Sequence, residues 1–546
     1  MRNKYSSYLE ELSYINDVEV WETGDVKCNI TVGQEVFSLL LTKLSDNALP
    51  YVFLCNPKDG IAQKPHFLHI KKNELIHLCL SVREDISVRN KNYKEVLDYT
   101  LTRVIRLLTL NEDEEKREFR KEFLYFWNRL SKNDNKYALF LNSSSKIAKL
   151  KIFEKKTECM LLDQAINVND IYFKDYKQIE ADVIYIPLIN SSKVVPPLDG
   201  KLWDSTTIEN ILDTCISDAN IEVLEQFKIH RGNLIIVFEM LVPETLPITF
   251  VLKLTFSDKR PQNIFAKIDT ISSIEYISSQ RFDSEYLFKR IGINNKPDSK
   301  KVIVIGAGSL GSYIISELPK IGITTIGIID DEDLSIENIM RHSLGANFVN
   351  YGKAFGLSFN LQINFPQLVI KTEKTRLKIQ NIQKYSLEQY DVIVVATGGT
   401  DFMLSLNKYF HDIKFEKPVL FSWIEAKGMG VHALLVDYNK KGCYQCLYTD
   451  VDINKAHIGK ENFEEHKIGT GCGAVFNSYG NIVLLKGTAM ILEKIDSILN
   501  GNKFDKNPLF SVKTSKTGSD EYEKRRLELE AGSYFYISEG CEICGA

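Results

Sequence analysis

Residues 301–330 constrain this 546-residue chain more than any other stretch. Lys301–Ile305 (KVIVI) has the unbroken apolar pattern of a buried strand, and GAGSLG follows it directly. A helix over Ser309–Ile321 comes next, then a second strand, TTIGIID, which ends at Asp330. Strand, glycine loop, helix, strand commits the region to a parallel sheet with helices on both faces. Gly306, Gly308 and Gly311 fill the three glycine places of a dinucleotide-type loop: tight turn, phosphate approach and helix–strand packing. The free N–H groups at the helix N-terminus then face phosphate. Asp330 lies roughly ~20 residues on, where an acid meets the ribose hydroxyls. A structural glycine turn is the bland alternative, and the two flanking strands argue against it.

The stretch after Asp330 decides between nucleotide chemistries. A dehydrogenase needs little there beyond the acid, yet the chain continues IIDDEDLSIENIMRHSLGANFVNYGKAFG. Asn338 and Arg341 fall one helical turn apart, and Lys353 opens a further helix, Lys353–Asn364. Two cations and an amide beside the phosphates suit attack on an α-phosphate, where charge on departing pyrophosphate must be stabilised. Taken singly, each is as well explained as part of a solvated helix face.

Cysteines supply the second signal. Five of the ten lie in the last 104 residues. Cys443-x-x-Cys446 and Cys541-x-x-Cys544 can each give two thiolates, together a four-sulfur zinc site that ties the C-terminus to the sheet. A redox pair should open a helix just after a strand, and neither does. Cys472, in GTGCGAVFNSYG, follows a polar loop (Tyr448–Thr470) and is expected at the head of a helix over about 474–499, where a thiol is activated. Cys79 ends the strand-like run PHFLHIKKNELIHLCLS, a place where an inert half-buried thiol is the ordinary finding.

Three regions are expected. Residues 1–135 read as an α+β module: a short helix around Tyr8–Tyr14, a meander of strands, then helices Tyr93–Leu110 and Glu114–Leu130. Residues 136–280 mix short strands with a helix near Thr207–Ile216, and Asn233–Phe256 reads as two strands and a turn. Residues 281–546 are the α/β region, so the whole is an α/β multidomain chain. Lys plus Arg number 68 against 72 Asp plus Glu, which offers nothing to a nucleic acid. No apolar run is long enough for a membrane span or a signal peptide, and the cysteine use fits a reducing cytoplasm.

From about Arg281 onward the chain resembles the ThiF/MoeB/ubiquitin-activating superfamily. GAGSLG, IIDDEDLSIENIMR, Gly352–Lys353 and YDVIVVATGG stand in that superfamily's order. The resemblance implies a Rossmann-like adenylation domain that uses ATP and Mg2+ to activate a protein's C-terminal glycine. Asp330 would hold the ribose, with Asn338, Arg341 and Lys353 at the phosphates and magnesium. Gly398 replaces the superfamily's usual Asp, with Asp401 nearby. The split pair of C-x-x-C motifs supports the zinc reading, and Cys472 would be the thioester-forming cysteine.

The order of elements in residues 1–135 resembles a ubiquitin-conjugating fold. His69 precedes Cys79 as that family's motif histidine precedes its cysteine, but Ile70 and Lys71 replace Pro and Asn. Cys79 would then accept the acyl group from Cys472, with His69 or His77 assisting. Region order resembles the fused activating–conjugating enzymes of bacterial cyclic-oligonucleotide anti-phage systems (CBASS). That likeness implies conjugation of a cGAS-like nucleotidyltransferase, through its C-terminal glycine, to target amines. It also implies a homodimer in which Arg281 or Arg290 reaches the partner's ATP. The competing expectations are an NAD-dependent zinc-containing dehydrogenase and a nucleotide-binding scaffold with inert thiols.

Overall fold

A computed structural model describes residues 3–46, 48–56, 64–70, 75–80, 92–131, 136–198, 201–243, 246–293, 300–425, 428–448, 454–457, 468–469, 475–476, 479–513 and 534–545. These form two compact units: Met1–Ala165 with Lys177–Phe282, and Ile166–Tyr176 with Asp283–Ala546. No helix among the described residues is long and apolar enough to cross a membrane.

The first unit holds two sheets. Its opening helix is Lys4–Glu11, earlier than expected, because Asn3 caps it: Asn3 Oδ1 accepts from Ser6 N–H at 2.8 Å and Ser6 Oγ from Asn3 N–H at 3.0 Å. Strands Ile15–Val20, Val26–Val32, Glu35–Thr42 and Tyr51–Cys55 form a meander. Leu75–Leu78 pairs with Tyr51–Cys55 and carries Phe67–Ile70 on its outer side, all antiparallel. Helix Tyr93–Leu108 buries Val96, Leu97, Leu101, Val104 and Leu108, spaced to cover one face. Leu97 and Leu101 share a core with Leu39, Leu41 and Leu54.

The helix expected over Glu114–Leu130 divides at Glu122 (φ −94°, ψ 12°) into Glu112–Lys121 and Phe123–Leu130. Phe123 and Trp127 leave the first sheet and pack at a tilt on Phe250 of the second, with centroids 4.6 and 4.7 Å from its ring. The second piece therefore belongs to the neighbouring core, and the expected boundary at 135 falls beyond it. That nine-stranded sheet has Ile271–Ile277 at one edge, followed by the antiparallel pair Ile248–Phe256 and Asn233–Met240, and Tyr137–Phe140 beside Ser279–Arg281 at the other. Arg281 ends it and is buried in an ion pair with Glu239, its Nη2 also donating to Ser143 Oγ at 3.0 Å. An arginine so committed cannot reach a partner's nucleotide, which corrects that expectation; Arg290 is exposed at the end of helix Ser284–Arg290.

The second unit is built on a seven-stranded sheet. Five strands are parallel, in the order Val369–Glu373, Thr325–Ile329, Lys301–Ile305, Val392–Val395, Val419–Ile424, and Gly430–Val436 and Leu509–Lys513 add antiparallel at one edge. Residues 166–176, expected in the middle region, pack here: Asn169 donates from its backbone N–H (2.8 Å) and Nδ2 (2.7 Å) to Pro366 O. From Lys301–Ile305 the chain first adds strands on one side, then crosses to the other with Val392–Val395. That reversal leaves a crevice at the carboxyl ends of the strands, where doubly wound sheets bind ligands.

Candidate functional site

A cleft of about 330 Å3 occupies that crevice, lined by the ends of three strands (Ile305, Ile329, Ala396), the glycine loop and Asp330. The glycines are required by close approach. Gly306 has φ +96°, and a Cβ there would sit 2.8 Å from Ala396 O. At Gly311 a Cβ would fall 1.9 Å from Gly306 O, so only glycine lets helix Ser309–Glu317 lie against the loop. Around Gly308, which caps that helix and lines the cleft, a Cβ would meet nothing within 4 Å, so the space in front of the helix is open. Gly399 caps a second helix, Thr400–Asp412, and lines the same cleft. Two helix N-termini thus turn unsatisfied N–H groups and partial positive charge toward one volume, an anion-binding arrangement.

Asp330 closes the base of the cleft. Its Oδ2 accepts from Ala307 N–H at 2.7 Å and its Oδ1 from Glu332 N–H at 2.9 Å, which fixes the carboxylate while lone pairs remain for hydroxyl donors. Burial raises its pKa, opposed by those two N–H groups and by Lys353. Lys353 is 4% exposed and pairs with Glu332, itself a lining residue. Asn338 and Arg341 meet as their spacing implied: Arg341 Nε and Nη2 donate to Asn338 Oδ1 at 3.0 and 2.6 Å, and the guanidinium lies 5.8 Å from the Tyr479 ring centre. Neither lines the cleft as it stands. Gly398 adopts φ +68°, a left-handed conformation that glycine accepts at no steric cost, while Asp401 is exposed on the first turn of the following helix.

Three residues in or behind the cleft were not foreseen. Arg376 and Lys378 line it as exposed cations, placed there because the segment leaves strand Val369–Glu373 at its carboxyl end. A basic run just after a parallel strand was the signal available. His342 lies behind the glycine loop, with Nε2–H donating to Ala307 O at 2.9 Å and Nδ1 accepting from Leu344 N–H at 3.1 Å. Burial pushes it down to about 4, so a neutral ring ties the loop to the segment carrying Arg341.

The four paired cysteines converge. Cys443, Cys446, Cys541 and Cys544 place their sulfurs within 4.8 Å of one another, with measured separations of 3.9, 3.8 and 3.5 Å. Tetrahedral zinc–sulfur bonds of ~2.3 Å require separations of about 3.8 Å, so the donor set fits such an ion. Tyr536, fully buried, seats the returning chain by donating to Asn507 O at 2.8 Å.

The two single thiols stand differently. Cys472 lies outside the described residues. The helix expected to begin near Ala474 begins at Asn481, after the short strand Val475–Phe476. Cys79 is half-buried, directly after strand Leu75–Leu78, and its N–H donates to His66 O at 2.9 Å. His69 lies on Phe67–Ile70, its side chain outside the described residues, and His77 packs between Tyr51 and Phe53, its pKa lowered by burial.

Comparison with known proteins turns on the glycine cleft. Residues 285–524 match the ThiF family. This chain contains a ThiF family domain. The chain is similar to the ATP-dependent ubiquitin transferase-like protein Cap2 of Enterobacter hormaechei subsp. hoffmannii, 35% identical over 145 residues, 26% of this chain and 24% of that protein. Cap2 of Pseudomonas aeruginosa is 28% identical over 205 residues, 37% of this chain and 35% of that protein. The adenylyltransferase and sulfurtransferase MOCS3 of Anopheles gambiae is 28% identical over 173 residues, 31% of this chain and 38% of that protein. Each match spans well under two thirds of the relative's own length.

Proposed function

We propose that this chain adenylates the C-terminal glycine of a partner protein with ATP and Mg2+, captures the acyl group as a thioester, and transfers it to an amine. The observation that carries the reading is the cleft at the switch point, where a glycine cradle, two helix N-termini, Asp330 and Glu332, which pairs with the buried Lys353, face one volume. Asp330 would hold the ribose, and Lys353 with Arg341 would take charge on departing pyrophosphate once Arg341 swings from Asn338. Arg376 and Lys378 add positive charge at the rim. The ThiF domain and the Cap2 and MOCS3 likenesses support an adenylating enzyme of the ubiquitin-like class.

The finer reading rests on the Cap2 likeness and the order of regions. Cys472 takes the acyl group first because it shares a domain with the cleft; Cys79 receives it by thiol–thioester exchange and delivers it to an amine. The conjugated partner is a cGAS-like nucleotidyltransferase ending in glycine, in CBASS-type anti-phage defence. Zinc at Cys443, Cys446, Cys541 and Cys544 is structural. The enzyme works in the cytoplasm as a homodimer, with Arg290 the remaining candidate for reaching across.

Labelled pyrophosphate exchange into ATP, with magnesium and a glycine-ended nucleotidyltransferase, tests adenylation. Exchange that needs the terminal glycine is expected. In the same assay Cys79→Ala should trap a reducible thioester on Cys472 with no amide product, and Cys472→Ala should stop at the adenylate. Normal loading of Cys79 in Cys472→Ala would reverse the relay. NAD reduction by an alcohol without any exchange would overturn adenylation.

A further inference from the structure

His66 stands opposite Cys79 across a strand pair. The register Phe67↔Leu78, Leu68↔His77 extends one step to His66 and Cys79, and the 2.9 Å bond from Cys79 N–H to His66 O closes it. His66 is a non-glycine residue at φ +65°, a costly backbone conformation that persists only where its surroundings enforce it. The enforcing group is Glu122, at the break between helices Glu112–Lys121 and Phe123–Leu130. One of its oxygens accepts from His66 N–H at 2.9 Å and the other lies 2.8 Å from His66 Nδ1. Glu118, one turn earlier, lies 3.2 Å from His66 Nε2. Lys121 pairs with Glu118 at 3.1 Å, and nearby Lys64 pairs with Glu115 at 2.8 Å. Burial would drive the imidazole toward neutrality, but the Cys79 sulfur, Glu122 and Glu118 push it up to about 10. The ring is therefore a standing cation at neutral pH and cannot serve as a general base.

We propose that His66 is a catalytic cation for Cys79, positioned by Glu122 and Glu118, whose charge stabilises negative charge on the Cys79 sulfur as it attacks an acyl donor and as it leaves. This rests on the reading of Cys79 as an acyl carrier. In uptake, the Cys79 thiol gives its proton to solvent and its sulfur attacks the donor thioester. The carbon–sulfur bond to Cys79 forms, the bond to the donor thiol breaks, and the donor thiolate takes a proton from solvent. In delivery, an amine nitrogen bonds to the carbonyl carbon, the Cys79 carbon–sulfur bond breaks, and the amine's proton goes to solvent. His66 keeps its own proton throughout, and nothing is oxidised or reduced. An ion-pair clamp that merely holds two helices against the sheet is the competing account, and the two differ in their pH dependence.

The test is iodoacetamide alkylation of Cys79 in the full-length chain, followed by peptide mass spectrometry across pH, with glutathione as reference thiol. A cation beside a thiol favours the thiolate. His66→Asn, whose side chain tolerates the left-handed backbone, should slow alkylation about tenfold near neutral pH, with the difference closing at high pH where any thiol is ionised. His66→Lys, which restores a cation, should recover part of the loss. A clamp alone would change the rate by the same factor at every pH, and that result would overturn the proposal. Should His66→Asn not fold, the wild-type profile decides: a rate ratio of Cys79 to glutathione that rises as pH falls supports the proposal, and a flat ratio overturns it. Alkylation needs no acyl donor. Loss of thioester loading with this profile intact would therefore count against the relay, and loading with a flat profile against His66 alone.

Discussion

His342 and His66 are driven in opposite directions by their surroundings. His342, behind the glycine loop, has backbone partners and is neutral; His66, beside Cys79, has two carboxylates and is charged. The difference extends to how each region is encoded. In the switch-point cleft the glycine loop and Asp330 come from one run of sequence, residues 301–330, and Arg376, Lys378, Ala396 and Gly399 complete the lining from further along the chain. The Cys79 corner draws on residues 66, 79, 118 and 122, brought together by strand register and by the helix break at Glu122. A site written locally can be read from a motif. One assembled by tertiary pairing shows only when the pairing is known.

Breaking the terminal closure should have the largest effect. The returning chain is held by sulfurs from two distant motifs, and structural zinc sites contribute folding energy outright. Cys541→Ser should release bound zinc, measured by atomic emission, and lower the melting temperature of the ThiF unit by on the order of 10 °C or more. Zinc-free protein that melts like wild type would make the cluster dispensable.

Gly311→Ala comes next. Its Cβ would lie 1.9 Å from Gly306 O, a backbone atom that cannot rotate away, so a loss of roughly 3 kcal/mol or more in denaturant unfolding is expected. Cys79 alkylation should be unchanged. A matching loss at Cys79 would erase the contrast between the regions. Lys353→Ala should leave stability nearly intact but cut pyrophosphate exchange about 100-fold, near 2.7 kcal/mol of transition-state stabilisation. Exchange at the wild-type rate would return Lys353 to a plain ion-pair role with Glu332.

The smallest effect is the pair of opposed pH dependences. An unfolded histidine titrates near ~6.5. Between there and about 4 the unfolded chain binds a proton that folded His342 refuses, so stability is lost as pH falls through that window. Between that value and about 10 folded His66 keeps a proton that the unfolded chain releases. Its contribution is therefore complete below about 6.5 and lost as pH rises. Denaturant titrations should show His342→Gln flattening the acid limb and His66→Asn the alkaline limb; the reverse assignment would refute both environments.

Much of the ThiF unit was legible in the sequence. The strand and glycine-loop patterns are short-range, and the two C-x-x-C motifs identify their own members. Helix limits were less legible: capping at Asn3 moved the first helix forward, and Glu122 split another because Phe123 and Trp127 bury against a different sheet. Arg281 was expected to be free to reach a partner's ATP, and only the buried Glu239 opposite explains its place. His66 carried no sequence signal, since its importance comes from register.

The central claim is that the switch-point cleft binds ATP for adenylation, and calorimetric titration of the full-length chain with magnesium–ATP and separately with NAD tests it most directly. Saturable binding of ATP, none of NAD, and at least about tenfold weaker ATP binding in Asp330→Ala are predicted. Saturable NAD binding without ATP binding, or an Asp330→Ala variant that binds ATP as wild type does, would contradict the account.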